Sequence, residues 1–150
     1  MQPYQISENG LLISDDKTLL DRPFIHSFLS ARSYWAKGIP LEIVNRSIEN
    51  SLCFGLYREG RQVGFARAIT DCATFAWLAD VFILEEQRGH GLSKKLLTAI
   101  KAHPGLQGLR LFMLGTRDAH TLYEQFGFGP IKHVERFMEI RAENSYNCVG

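Results

Sequence analysis

Residues 75–84, FAWLADVFIL, set nine apolar side chains around one charge, Asp80. So continuous an apolar run reads as a central strand buried on both faces, not a surface strand with one wet side. A sheet built on such a strand needs helices on each face. The next stretch, QRGHGLSKKL (87–96), places Gly89 and Gly91 just ahead of a helical spacing at Leu92, Leu96, Leu97 and Ile100. Strand, glycine turn and helix start together make a phosphate-binding geometry. The first amides of a helix lack internal partners, and the dipole adds about half a positive charge there. Glycines let an anion approach the amides and let the loop take positive φ. Arg88 adds charge at the mouth, the small Ser93 keeps the cradle open, and His90 offers only backbone. The spacing excludes a G-x-x-x-x-G-K-[ST] loop and disfavours a G-x-G-x-x-G dinucleotide loop. From the glycines alone, a ligand-free turn remains an equal alternative.

The rest of the chain supplies the layers. Residues 10–14, GLLIS, read as a first strand. Leu19, Leu20, Phe24, Phe28 and Leu29 follow at helical spacing over 17–33, with Pro23 near the true helix start. YWAKGIP is a loop carrying two aromatics, and Pro40 opens a second helix to about Asn50. SLCFGLYREGRQVGFARAITD reads as two strands joined at Glu59–Gly60. His103-Pro104-Gly105 ends the helix after the glycine loop, and LRLFML is another buried strand. DAHTLYEQF is a helix with Asp118 as cap, stopped by Gly127. HVERFMEI closes the sheet, and the polar RAENSYNCVG tail frays. The order is β-α-α-β-β-β-α-β-α-β, a mixed α/β sheet with helices on both faces in one domain, 1–150.

Lys+Arg number 17 and Asp+Glu 16, which argues against a duplex nucleic-acid binder. No run reaches transmembrane length, and the polar start is no signal peptide. Cys53, Cys72 and Cys148 show no metal or redox spacing. A reduced, cytoplasmic, metal-free protein is expected, with Cys53 and Cys72 as small core residues.

The stretch Arg88-Gly89-His90-Gly91-Leu92-Ser93 resembles the R/Q-x-x-G-x-G/A signature of the GCN5-related N-acetyltransferase (GNAT) family. A second motif, A-x-x-L-Y-E-x-x-G-F, is matched by Ala119, Leu122, Tyr123, Glu124, Gly127 and Phe128. Ser93 stands where the family usually has Gly or Ala, and Thr116 where Asn is common. The resemblance implies a mostly antiparallel sheet of about six to seven strands with about four helices. It also implies acetyl-coenzyme A as donor and an amine as acceptor. The diphosphate would rest on Gly89, His90, Gly91, Leu92, Ser93 and Lys94, with Arg88 beside it. The pantetheine arm would pair with Val81, Phe82 and Ile83, with Thr116 and Tyr123 on its other side.

Within that resemblance Tyr123 is the expected acid for the departing thiolate, its alternative being a packed helix tyrosine. Asp80 is the expected base, its alternative being a structural carboxylate bonded to Arg67 or Arg117, with ordered water taking the proton. A charged carboxylate in an apolar run needs a partner either way. Tyr34, Trp35, Arg67, Asp71 and His120 are the candidate acceptor contacts. Arg67 would suit a carboxylate on the acceptor and Asp71 a cation. Glu85 and Glu86 read as solvated, and His26, His103 and His133 as surface or cap residues. The expected partner is a small-molecule amine, with neither nucleic acid nor membrane; a homodimer fits the resemblance. A sensor that binds acetyl-coenzyme A without turnover, or a peptide or protein N-acetyltransferase, is the alternative.

Overall fold

The structure, a computed structural model, describes residues 2–143 and Tyr146; Cys148 and most of the predicted fraying tail lie outside the described residues. Six strands form one sheet in the order β1-β2-β3-β4-β5-β6. They are β1 (Gln5–Glu8), β2 (Leu11–Ser14), β3 (Leu52–Arg58), β4 (Arg61–Thr70), β5 (Phe75–Ile83) and β6 (Leu111–Leu114). All neighbours are antiparallel except β5 and β6. The helices are α1 (Arg22–Ala31), α2 (Leu41–Glu49), α3 (Leu92–Ala102) and α4 (His120–Glu124).

Sequence chemistry explains most boundaries. Asp21 caps α1 by accepting from the Phe24 amide at 3.0 Å, with Pro23 in the first turn. Buried Gln62 accepts from the Asp21 amide at 2.7 Å and so ties the helix start to the sheet. Pro40 sits one residue earlier than expected, as the N-cap of α2. Phe28 of α1 stacks on Phe82 of β5 with centroids 3.8 Å apart. Phe65 lies beside Phe82 on that face. Phe54, opposite Ala66 and so on the other face, meets His103 at the end of α3. The sheet is therefore covered on both sides, but β5 is not buried on both faces throughout: Phe75 and Trp77 stay 37% and 36% exposed.

Several expectations change. The first strand is a hairpin: Asn9 and Gly10 both have positive φ, and the polar β1 pairs with β2 across them. The segment 17–33 is a short 3-10 turn at Lys17–Leu19 followed by α1. Helix α4 has five residues, starts after Asp118 with no side-chain cap, and ends as Gly127 takes φ 93°. HVERFMEI is not a strand: Val134–Arg136 is a 3-10 turn, Phe137 after it is extended, and residues 137–142 form no strand. Cys53 is a core residue, but Cys72 is exposed in the β4–β5 turn. His103 is a cap, one of the two roles expected of it, but a buried one: it ends α3 and caps the 3-10 turn at Pro104–Leu106. Its Nε2 meets Asp15 Oδ2 at 2.8 Å, and its Nδ1 accepts from the Gly105 amide.

Candidate active site

The site begins where β5 and β6 part. Their pairing ends at Leu78↔Leu114, but β5 runs on to Ile83 hydrogen-bonded only to β4. Val81, Phe82 and Ile83 therefore have an open strand edge, whose peptide groups alternate toward the gap. Between them and the paired half of β5 lies a bulge. Arg67↔Ala79 and Phe65↔Phe82 are partners, so two β5 residues oppose Ala66 alone. Asp80 occupies the bulge with φ 55°, a left-handed conformation that Asp and Asn tolerate better than most residues.

The bulge aims Asp80 at two donors. Arg67 Nε donates to Oδ2 at 2.6 Å and Trp35 Nε1 donates to Oδ1 at 2.8 Å. The Arg67–Asp80 pair is largely buried, with side-chain exposures of 17% and 8%. Arg67 also donates to Ser51 Oγ at 3.0 Å. One ion pair thus fastens β4, the start of β3 and the loop before α2. Breaking a buried pair on one side leaves an unpaired charge and costs about 3–5 kcal/mol.

In that loop Tyr34 packs edge-on against Trp35, with centroids 5.0 Å apart. Both rings are nearly half exposed. Arg117, on the loop after β6, stacks over Tyr34 at 3.9 Å, and its backbone amide donates to the Tyr34 hydroxyl at 2.9 Å. Tyr123 of α4 is buried, and burial pushes its phenol up to about 12, with a smaller push from Tyr34. None of the side-chain hydrogen bonds among the described residues uses the Tyr123 hydroxyl. Thr116 Oγ1 accepts from the Ala119 amide at 3.1 Å and so shapes the turn into α4.

At the far end of β5, a 3-10 turn at Glu85–Gln87 leads into the glycine loop. Gly89 and Gly91 have φ 86° and 72°. Gly91 is the N-cap of α3 and offers no capping side chain, so the first-turn amides keep free N–H groups. A Cβ added at either glycine would meet nothing within 4 Å; the loop opens to space. His90 Nδ1 donates to the carbonyls of Gln87 and Arg88, each at 3.2 Å, and so closes the loop. Arg88 and Lys94 are exposed beside it, and Leu92 and Ser93 turn inward.

The structure therefore gathers Tyr34, Trp35, Arg67 and Asp80 into one network, with Tyr123 within electrostatic reach of Tyr34. Asp71 is not part of it. It lies in the β4–β5 turn, and the Thr74 amide and hydroxyl, followed by the Ala73 and Phe75 amides, hold its carboxyl well below the usual range. His120 is exposed at the start of α4 and faces a groove beside β6. Sequence reasoning missed Ser51, the loop-closing role of His90, and the stacking of Arg117; no local pattern announces them. Among the described residues no group of three His, Cys, Asp or Glu side chains could hold a metal ion. Nor is any described helix long and apolar enough to cross a membrane.

The model of the GNAT acetyltransferase domain matches residues 49–130. That span runs from the end of α2 through α4 and includes both the parted strands and the glycine loop. The chain belongs to the GNAT acetyltransferase family. It is 33% identical to a Gibberella zeae protein assigned as an acetyltransferase, over 81% of this chain and 80% of that one. A Xanthomonas campestris pv. campestris protein assigned to the same family has a crystal structure similar at TM-score 0.90 and 51% identity, over 93% of this chain and 99% of that one. An aminoglycoside N-acetyltransferase in complex with CoA shares the fold at TM-score 0.57 and 17% identity, over 95% of this chain and 97% of that one.

Proposed function

We propose that this acetyltransferase moves an acetyl group from acetyl-CoA to the primary amine of a small, amino-acid-like acceptor by direct attack in a ternary complex. The observation that carries the reading is the parting of β5 from β6 at Leu78, followed on the same strand by an open glycine loop. An extended amide-bearing arm fits the free edge of Val81–Ile83, and a diphosphate fits the amides of 89–94 with Arg88 and Lys94 flanking it. Thr116 and Tyr123 form the other wall. Acetyl-CoA supplies the activated thioester.

The chain's own groups do the rest. An amide of Val81–Ile83 faces the developing oxyanion. Tyr123 stays protonated throughout the working range, because its phenol is pushed up to about 12, and it can donate to the departing sulfur. Asp80 has both oxygens engaged by Arg67 and Trp35. This favours a positioning role over the base expected from sequence, with the amine's proton passing to water. Tyr34 and Trp35 wall the acceptor's carbon skeleton, and the Arg117 guanidinium stands ready for an acceptor carboxylate.

Two measurements test this reading. CoA should raise the melting temperature, since a ligand bound only to the folded chain stabilises it by mass action. Thiol release from acetyl-CoA should then depend on an added amine. CoA binding without thiol release from any amine would make the chain a sensor; no binding would refute the site altogether.

A further inference from the structure

A strand with one wet face commonly keeps polar residues on that face. Strand β5 does the opposite over its first half. Ala76 and Leu78 are buried, and the outward positions carry Phe75 and Trp77. Trp77 is the register partner of Ile69 on β4 and of Met113 on β6, and Phe75 is the partner of Leu111. Partners across a ladder share a face, so these five side chains form one apolar floor. Ile69 and Leu111 are 43% and 42% exposed. The floor adjoins the wall built around Asp80. Arg67 lies two residues before Ile69 on β4 and so on the same face. The Trp77 ring passes 3.7 Å from where a Gly115 Cβ would stand. Gly115 is one residue past the last β5–β6 pair, Leu78↔Leu114, and two before Arg117, whose guanidinium stacks on Tyr34. The indole therefore leans from the paired half of the sheet toward the point where the strands part.

We propose that this floor seats the side chain of the acceptor, which makes the acceptor an amine carrying a large apolar group, such as an aryl amino acid. The inference rests on the acetyl transfer proposed above and names its substrate class. A run of exposed apolar side chains marks a binding surface, and this one continues the wall of the acceptor site without a break. Trp77 lies three residues, ~10 Å, back along β5 from Asp80. Its lean toward Gly115 shortens that span to the length of a side chain. An aryl group can meet the indole edge-on or offset, the arrangements aromatic rings favour. Charge points the same way. Asp80 is engaged by Arg67 and Trp35, and Asp71 by its own turn, which disfavours a polyamine. Arg117 stands at the edge of the floor for a carboxylate, with only a loose 3.9 Å contact to Asp118.

Initial rates of thiol release from acetyl-CoA with L-phenylalanine, L-alanine and spermidine test this. The kcat/KM for L-phenylalanine should exceed that for L-alanine by ~30-fold, within the range that apolar pocket contacts provide, and spermidine should be the poorest. Trp77→Ala, and separately Ile69→Ser, should narrow the phenylalanine-to-alanine ratio ~10-fold, through KM. A rise in melting temperature with CoA shows that each variant folds. A native ratio near one, a preference for spermidine, or a preference that both substitutions leave intact would overturn the subsite while acetyl transfer stands. No thiol release with any amine would overturn the transfer itself, and the subsite with it. Sedimentation velocity provides the last check: a native dimer that Trp77→Ala dissociates would give the floor to a second copy and overturn the proposal.

Discussion

At the N terminus of α3 the proposed site is walled by backbone. Two glycines with positive φ face open space, and the groups aimed at a ligand are N–H donors fixed by the helix itself. Around Asp80 the proposed site is walled by side chains: an ion pair, an indole, a phenol and a stacked guanidinium drawn from four separate stretches of chain. The first wall can be built from a ten-residue motif and, in the proposed function, would recognise a group common to many ligands. The second needs long-range assembly and can recognise one acceptor among many. Substitutions should separate the two ends cleanly.

The largest effect belongs to the backbone wall. Gly91→Glu forces a bulky residue into φ 72° and sets a carboxylate where the diphosphate would sit. Left-handed backbone alone costs about 1–2 kcal/mol, and repulsion adds to it. CoA binding, measured by calorimetry, should weaken by ~100-fold or more, about 2.7 kcal/mol. Gly91→Ala sharpens the point: its Cβ meets nothing within 4 Å, so stability should fall by ~1 kcal/mol while CoA still binds. Equal losses in the two variants would break the claim that this wall works through open backbone.

Next in size is Tyr123→Phe, which removes one oxygen from a buried ring. Thiol release should slow by ~100-fold, the scale of a general acid, with CoA affinity changed less than ~2-fold. A loss of affinity with turnover preserved would make Tyr123 a packing residue. Asp80→Asn should act differently again. Asparagine tolerates φ 55° and keeps an acceptor for Trp35, but it loses the charge that holds Arg67. The KM for the amine should rise ~10-fold while CoA affinity holds. A fall of ~100-fold or more in kcat, with the acid limb of the pH profile displaced, would restore Asp80 as the base.

How much of this was readable follows the same division. The run FAWLADVFIL, the 3.6-residue spacing after Gly91 and the positive φ at both glycines are local properties, and local sequence states them. The Asn9–Gly10 turn was equally legible; the polarity of β1 concealed it, because an edge strand with no buried face shows no apolar alternation. The bulge at Asp80 was not legible. It arises from the register between two strands, and its partners lie 13 and 45 residues away. Residues 133–140 show the converse: HVERFMEI reads as a strand, yet Val134–Arg136 is a 3-10 turn and no strand follows it.

The last expected effect, absent at neutral pH and confined to alkaline solution, is a pH dependence whose sign follows from Tyr123. Its phenol titrates at about 12 in the folded chain and at about 10 when unfolded. Between these values the unfolded chain gives up the proton and the folded chain keeps it. The stabilisation is therefore whole below pH ~10 and is lost as pH rises toward 12, at up to ~1.4 kcal/mol per pH unit. Burial raises Tyr57 and Cys53 in the same direction, so the native slope is a sum and only a difference isolates one ring. Chemical denaturation across that range should show Tyr123→Phe falling less steeply than the native chain, while Tyr34→Phe, which removes only the lesser influence on that phenol, should barely alter the curve. Parallel slopes for Tyr123→Phe and the native chain would mean that the ring is reached by water, and a phenol reached by water could not be reserved for the departing sulfur.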